Sequence, residues 1–233
     1  MKTFKILGLL LSYPKQELID NMSDIKDVLK QEDFLPKRTM KKVLAFCDYL
    51  SATDLFELQE DYVDLFDRGR AHCLHMFEHI HGESRDRGQA MVNLVESYAE
   101  RGYYMQEGEL PDYLPLFLEY LSCCPAEEAV ELIGDPINVV ATIGVRLKKR
   151  DSLYSILFEA IEALAKVKPD AAVIAEAKAE EVKEQTLDEL DEEWEEAEAF
   201  DNSKDCGDAC DMTQYHAQNT HVNPPKPSRG ANQ

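Results

Sequence analysis

Apolar residues recur every three or four positions through the first two-thirds of the chain, and this period limits the possible folds more than any other feature. Phe4, Leu7 and Leu11 mark one helical face before Tyr13-Pro14 interrupts it. Further helices are expected over residues 15–30 and over 41–50, the latter through Val43, Leu44, Phe46 and Cys47. Asp54 is suited to cap a helix with Glu57 three residues on, and Leu55, Leu58, Tyr62, Leu65 and Phe66 supply its apolar face. Gly69 is suited to end that helix. A helix is expected over 71–80 with Gly82 as its break, and another from Ser84 to about residue 101, closed by Gly102. Pro111, Pro125 and Asp135-Pro136 stand where first-turn prolines belong. The run 139–145 is β-branched enough for a strand, but no partner strand is apparent, so it reads as a buried helix. Residues 152–165 are amphipathic. The 233 residues hold only 10 Gly and 10 Pro, too few for a turn-rich sandwich. The fold class that follows is all-α: a single helical bundle domain of roughly eight or more helices, given ordinary helix lengths.

Charge divides the chain further. The formal net charge is −21, from 25 Lys plus Arg against 46 Asp plus Glu. Residues 170–211 alone carry 17 acidic and 3 basic residues. Three segments are therefore expected: a helical domain over 1–169, an acidic helical extension over 170–202 and a flexible tail over 203–233. The extension holds a capping box at Thr186-Leu187-Asp188-Glu189. The tail is rich in Gly, Asn, Ser and Pro and cannot bury enough apolar surface to offset its chain entropy. So acidic a chain repels phosphate backbones and anionic bilayers, which argues against nucleic acid and membrane surfaces as partners and allows a basic one. No apolar run approaches the ~18 residues of a membrane span, and the apolar N-terminal stretch lacks a small-residue cleavage site. The six cysteines read as reduced thiols, so a cytoplasmic location is expected.

Common catalytic signatures are missing. There is no phosphate-cradling or dinucleotide glycine motif, no G-x-S-x-G elbow and no C-x-x-C. His72, His75 and His79 fall at i, i+3 and i+7 and would share one helix face, with Glu78 beside them. A metal-binding helical protein built on that cluster is the alternative reading, against polar surface histidines. A di-iron site is ruled out because it needs two Glu-x-x-His motifs and the chain has one. Cys206, Cys210, His216 and His221 could hold zinc, but their spacing matches no usual finger and no small core accompanies them. Charges of both signs crowd two predicted helix breaks: Asp67, Arg68 and Arg70, then Glu78, Glu83, Arg85, Asp86 and Arg87. The segment from Leu110 to Leu121 is dense in large apolar groups and suits either a core helix or a groove for an amphipathic peptide.

Three stretches carry a resemblance. They are Leu65-Phe66-Asp67-Arg68-Gly69-Arg70, the run from Phe77 through Gly82-Glu83-Ser84-Arg85-Asp86-Arg87-Gly88 to Met91, and Leu110-Pro111-Asp112-Tyr113-Leu114-Pro115-Leu116-Phe117-Leu118-Glu119-Tyr120-Leu121. Together they closely resemble the NarJ family, assembly chaperones of the membrane-bound respiratory nitrate reductase within the wider TorD/DmsD group. The resemblance spans roughly residues 4–200 and is densest between Tyr62 and Leu94. It implies an all-helical, non-enzymatic protein that needs no cofactor of its own. It also implies binding to the N-terminal segment of the nitrate reductase catalytic (alpha) subunit, holding the apoenzyme in the cytoplasm until its molybdenum cofactor is inserted. Where relatives carry Asp-His, this chain has Asp112-Tyr113, which removes an imidazole. A basic, partly apolar peptide would meet carboxylates and apolar surface. The residues expected to bind it are Phe77, Glu78, His81, Glu83, Arg85, Asp86, Asp112, Tyr113, Leu116 and Glu119.

Overall fold

The computed structural model describes residues 1–180, except Gly69 and Glu83. The chain divides into two units, Met1–Glu184 and Gln185–Gln233, and the described residues belong to the first. The expected acidic extension beyond residue 180 with its capping box at 186–189, the tail over 203–233 and its Cys/His set lie outside the described residues, as do Gly69 and Glu83.

The described residues are all-α. Twelve helices follow one another: α1 (Lys2–Leu11), α2 (Gln16–Asp20), α3 (Met22–Glu32), α4 (Lys37–Ala52), α5 (Leu55–Phe66), α6 (Met76–His81), α7 (Asp86–Glu100), α8 (Leu114–Cys123), α9 (Ala126–Leu132), α10 (Ile137–Lys149), α11 (Ser155–Leu164) and α12 (Ala171–Ala179). No strand occurs among them. No helix among the described residues is long and apolar enough to cross a membrane.

The core is built by α1 against α8 and by α10 against α11, with α4 packed on α11 and α3 on α1. Seven of the ten residues of α1 are buried, Phe4, Leu7 and Leu11 among them. The α1–α8 crossing is close because Gly8 has no side chain: a Cβ there would stand 2.8 Å from the carbonyl oxygen of Pro115. The first turn of α1 is held from a distance, since Glu32 accepts from the backbone N–H of Lys2 at 2.8 Å and of Thr3 at 2.7 Å. These bonds satisfy donors that a helix start otherwise leaves unpaired. Residues 139–145 lie within α10, as the absence of a partner strand implied.

Local expectations depart from the structure in four places. Pro111 opens no helix, because α8 begins at Leu114 with Pro115 in its first turn. The helix expected over 15–30 is two helices, because the chain turns at Asn21, whose side-chain amide donates to the Glu17 carbonyl at 2.8 Å. Asp54 does cap α5, accepting from Phe56 N–H at 2.9 Å, but no returning bond from Glu57 completes a box. The largest departure is the helix expected over 71–80. It is a 3-10 turn at Arg70–His72, an extended stretch, and only then α6. The extended stretch forms an antiparallel bridge between His75 and Tyr113, with Leu114 N–H donating to the Leu74 carbonyl at 2.9 Å and Met76 N–H to the Asp112 carbonyl at 3.0 Å. Tertiary pairing thus overrides local helical propensity. His72, His75 and His79 consequently do not share a helix face.

Candidate functional site

Asp112 organises the start of α6. Its side chain is fully buried. One carboxylate oxygen accepts from Phe77 N–H at 3.1 Å, in the first turn of α6, and the other accepts from His75 Nδ1 at 3.3 Å. Asp112 therefore caps a helix from 35 residues away, where His75, at the N-cap position, makes no side-chain cap bond. Arg87 lies behind it, 3.9 Å from the same carboxylate and 3.0 Å from Glu78 Oε1. Burial pushes the Glu78 carboxyl up, but hydrogen bonds from Cys73 and Arg87 outweigh it and hold the group below the usual range. Burial pushes the Cys73 thiol up to about 12, so it is no nucleophile.

Next to Asp112 stands Tyr113, and its ring forms a wall of two clefts. The first cleft, about 230 Å³, is lined by Tyr13, Tyr62, Phe66, Asp67, Cys73, Leu74, His75 and Tyr113. Its rings interlock: Tyr13 meets Tyr62 edge-on at 5.6 Å, Tyr62 meets Phe66 at 4.8 Å, and His75 lies 5.3 Å from Tyr113. Tyr62 donates to the Leu11 carbonyl at 2.9 Å, so Tyr113 donates to Tyr62 across 3.1 Å. Burial raises the pKa of both phenols, and both stay protonated at neutral pH. The second cleft, about 120 Å³, runs between α1 and α8 past Lys5, Leu9, Ser12, Glu109, Leu116 and Glu119. Lys5 pairs with Glu119 at 3.0 Å on its rim. The two clefts share only the Tyr113 wall, so they make a channel in two separate parts, with the carboxylates of Asp67, Glu109 and Glu119 in its linings.

The expected binding residues fall into three groups. Tyr113, Leu116 and Glu119 line the channel. Glu78 and Asp112 sit behind it with Arg87, in the bonds that hold α6. Phe77, half-buried, meets the ring of His81 edge-on at 5.6 Å, while Arg85 and Asp86 are exposed at the start of α7. Glu83 lies outside the described residues. Tyr13, Tyr62 and Phe66 are not among the expected binding residues, and Asp67 enters the sequence reading only in the charge cluster at a helix break. The apolar spacing of Tyr62 and Phe66 marks them as core, and only the fold brings α5 and the Tyr13-Pro14 break to one opening. Among the described residues no group of three or more His, Cys, Asp or Glu is placed to hold a metal ion. His79 instead donates from Nε2 to the Cys73 carbonyl at 2.8 Å, and His72 is buried with its Nε2 unpartnered.

Comparison with known proteins agrees with this architecture. The family model described as nitrate reductase delta subunit matches residues 32–160. The chain is 40% identical over 205 residues to the nitrate reductase molybdenum cofactor assembly chaperone NarJ of Escherichia coli K12, covering 88% of this chain and 87% of that one. It is 35% identical over 218 residues to NarW of the same strain, covering 92% of this chain and 91% of that one. Its fold resembles a crystal structure from Archaeoglobus fulgidus, described as a redox enzyme maturation protein. The TM-score is 0.51 at 20% identity, covering 69% of this chain and 91% of that one. On the extent of the family match and of the identity to NarJ, the chain belongs to the nitrate reductase delta subunit family.

Proposed function

We propose that this protein is a molybdenum cofactor assembly chaperone of nitrate reductase, and that it binds the N-terminal segment of the catalytic (alpha) subunit in the channel walled by Tyr113. It acts by binding and not by turnover, as the names of its relatives imply. It works on the apoenzyme in the cytoplasm, before that enzyme reaches the membrane. The observation that carries the binding mode is the channel itself. An apolar strip of Leu9, Tyr13, Tyr62, Tyr113 and Leu116 suits the apolar side of a peptide helix, and the carboxylates on its edges suit basic side chains. Glu78, Asp112 and Arg87 position this surface without touching the peptide. Phe77, His81, Glu83, Arg85 and Asp86 supply an outlying contact at the α6–α7 junction.

Titration calorimetry with a synthetic peptide of the cognate alpha-subunit N-terminus tests this. Leu116→Glu should weaken binding at least about tenfold, because it sets a carboxylate in the apolar strip. Glu83→Ala with Asp86→Ala should weaken it less. High salt should slow association while leaving the apolar contribution in place, since exposed charges are screened over ~8 Å at physiological ionic strength. Undiminished binding by a folded Leu116→Glu variant would move the peptide off the channel. Failure of the protein to retain the immature alpha subunit from cells would sink the chaperone reading as a whole.

A further inference from the structure

The two clefts differ in charge as well as in size. The second brings its own cation, since Lys5 pairs with Glu119 at 3.0 Å. The first, about 230 Å³, is lined by one carboxylate and by no lysine or arginine. That carboxylate belongs to Asp67, which is exposed and makes no ion pair or side-chain hydrogen bond with any described residue. The adjacent Arg68 pairs with Asp64 instead, at 3.3 Å. With Asp67 the cleft holds the rings of Tyr13, Tyr62, Phe66 and Tyr113, and aromatic faces carry negative charge density.

The side-chain hydrogens of this lining are already given away. Tyr62 donates to the Leu11 carbonyl, Tyr113 to Tyr62, His75 from Nδ1 to Asp112, and the Cys73 thiol to Glu78. Tyr13 alone keeps an uncommitted one. No described residue donates to the Tyr113 hydroxyl oxygen, which is left as an open acceptor. What the cleft offers a ligand is therefore a carboxylate, hydroxyl acceptors and ring faces. A guanidinium is the complement: five N–H donors, no acceptor, and a charged plane that stacks on rings.

We propose that the larger cleft is a receptor for a single guanidinium group, held by the Asp67 carboxylate and stacked against the Tyr13 and Tyr113 rings. An arginine of the bound peptide supplies that group, and this source, unlike the preference of the cleft, rests on the proposed function.

Nuclear magnetic resonance titration of the full chain with N-acetyl-arginine amide and N-acetyl-citrulline amide, at one ionic strength, tests the preference. Citrulline has nearly the shape of arginine without its charge. The arginine amide should shift the Tyr13 and Tyr113 ring signals and bind at least about fivefold more tightly than the citrulline amide. Asp67→Asn should abolish that preference, although it hardly alters the general attraction of a chain of net charge −21. Tyr13→Leu should at least halve it. Both substitutions fall at exposed positions, so the fold is kept. Equal binding of the two amides, or a preference unchanged by either substitution, overturns the inference.

Calorimetry with the alpha-subunit N-terminal peptide then separates the cleft from its client. Citrulline in place of the peptide's arginines should weaken binding about fivefold more in the wild type than in Asp67→Asn. A peptide that does not bind at all sinks the proposed client, while the arginine-amide preference still upholds the receptor. A peptide that binds the wild type equally well with citrulline overturns the inference.

Discussion

Helices α7 and α8 are neighbours in the chain and opposites in how they are held. Seven of the ten residues of α8 are buried, from Leu114 to Leu121, whereas the longer α7 buries Tyr98 alone. α8 is fixed by apolar area spread along its length. α7 and the short α6 are fixed at points: the Asp112 carboxylate on Phe77 N–H, Arg87 on Glu78, and the Tyr98 hydroxyl on the Pro111 carbonyl at 2.7 Å. The first kind of attachment degrades gradually under substitution. The second fails at single atoms, and it leaves most of a helix surface available to partners.

The contrast can be broken most severely on the α8 side. Gly8→Val drives a side chain into the Pro115 carbonyl, and strain in a packed crossing should cost about 3 kcal/mol or more, read as a drop in the urea midpoint. The next effect belongs to the turn before α6. Burial, with Arg150 and Arg146 nearby, pushes the His72 imidazole down to about 4, and the residue is only 3% exposed. Its unfolded value is near 6.5, so the unfolded chain binds the proton first as pH falls. The stability from neutral His72 is complete above pH ~6.5 and is lost progressively down to pH ~4, by up to about 3 kcal/mol. Unfolding curves at pH 7 and 5 should separate for the wild type and draw together for His72→Phe; equal separation in both would assign the acid sensitivity elsewhere. A smaller loss follows Asp112→Ala, about 2 kcal/mol for an orphaned donor and a lost cap. Hydrogen exchange should then show faster opening of α6 and α7 while α1 and α8 stay protected. Uniform acceleration across all helices would mean that the two regions unfold as one.

What the sequence allowed to be read follows the same division. Phe4, Leu7 and Leu11, and Val140, Ala141, Ile143 and Gly144 within the run 139–145, are buried along continuous helix faces, so their spacing alone places them. The segment from Cys73 to Met76 has no such signal, because its conformation is set by backbone bonds that join Leu74 to Leu114 and Met76 to Asp112, almost forty residues away. The same limit applies to the site. Tyr113, Leu116 and Glu119 could be chosen from one dense motif. Tyr62 and Phe66 come from α5 and carry only the ordinary mark of core residues, and Tyr13 stands in the break between α1 and α2. Asp112 was chosen for its charge, yet its full burial makes it a support for the surface and not part of it.

Tyr113 is bonded to Tyr62, follows a residue whose carboxylate and carbonyl both grip α6, and walls both halves of the channel. It therefore couples the lining of both clefts to the first turn of α6 through two adjacent residues. If a peptide binds at Tyr113 as proposed, displacing that ring loads the start of α6, and tension at α6 is transmitted back to the ring. Release would then depend on events at the α6–α7 junction as well as on the clefts themselves.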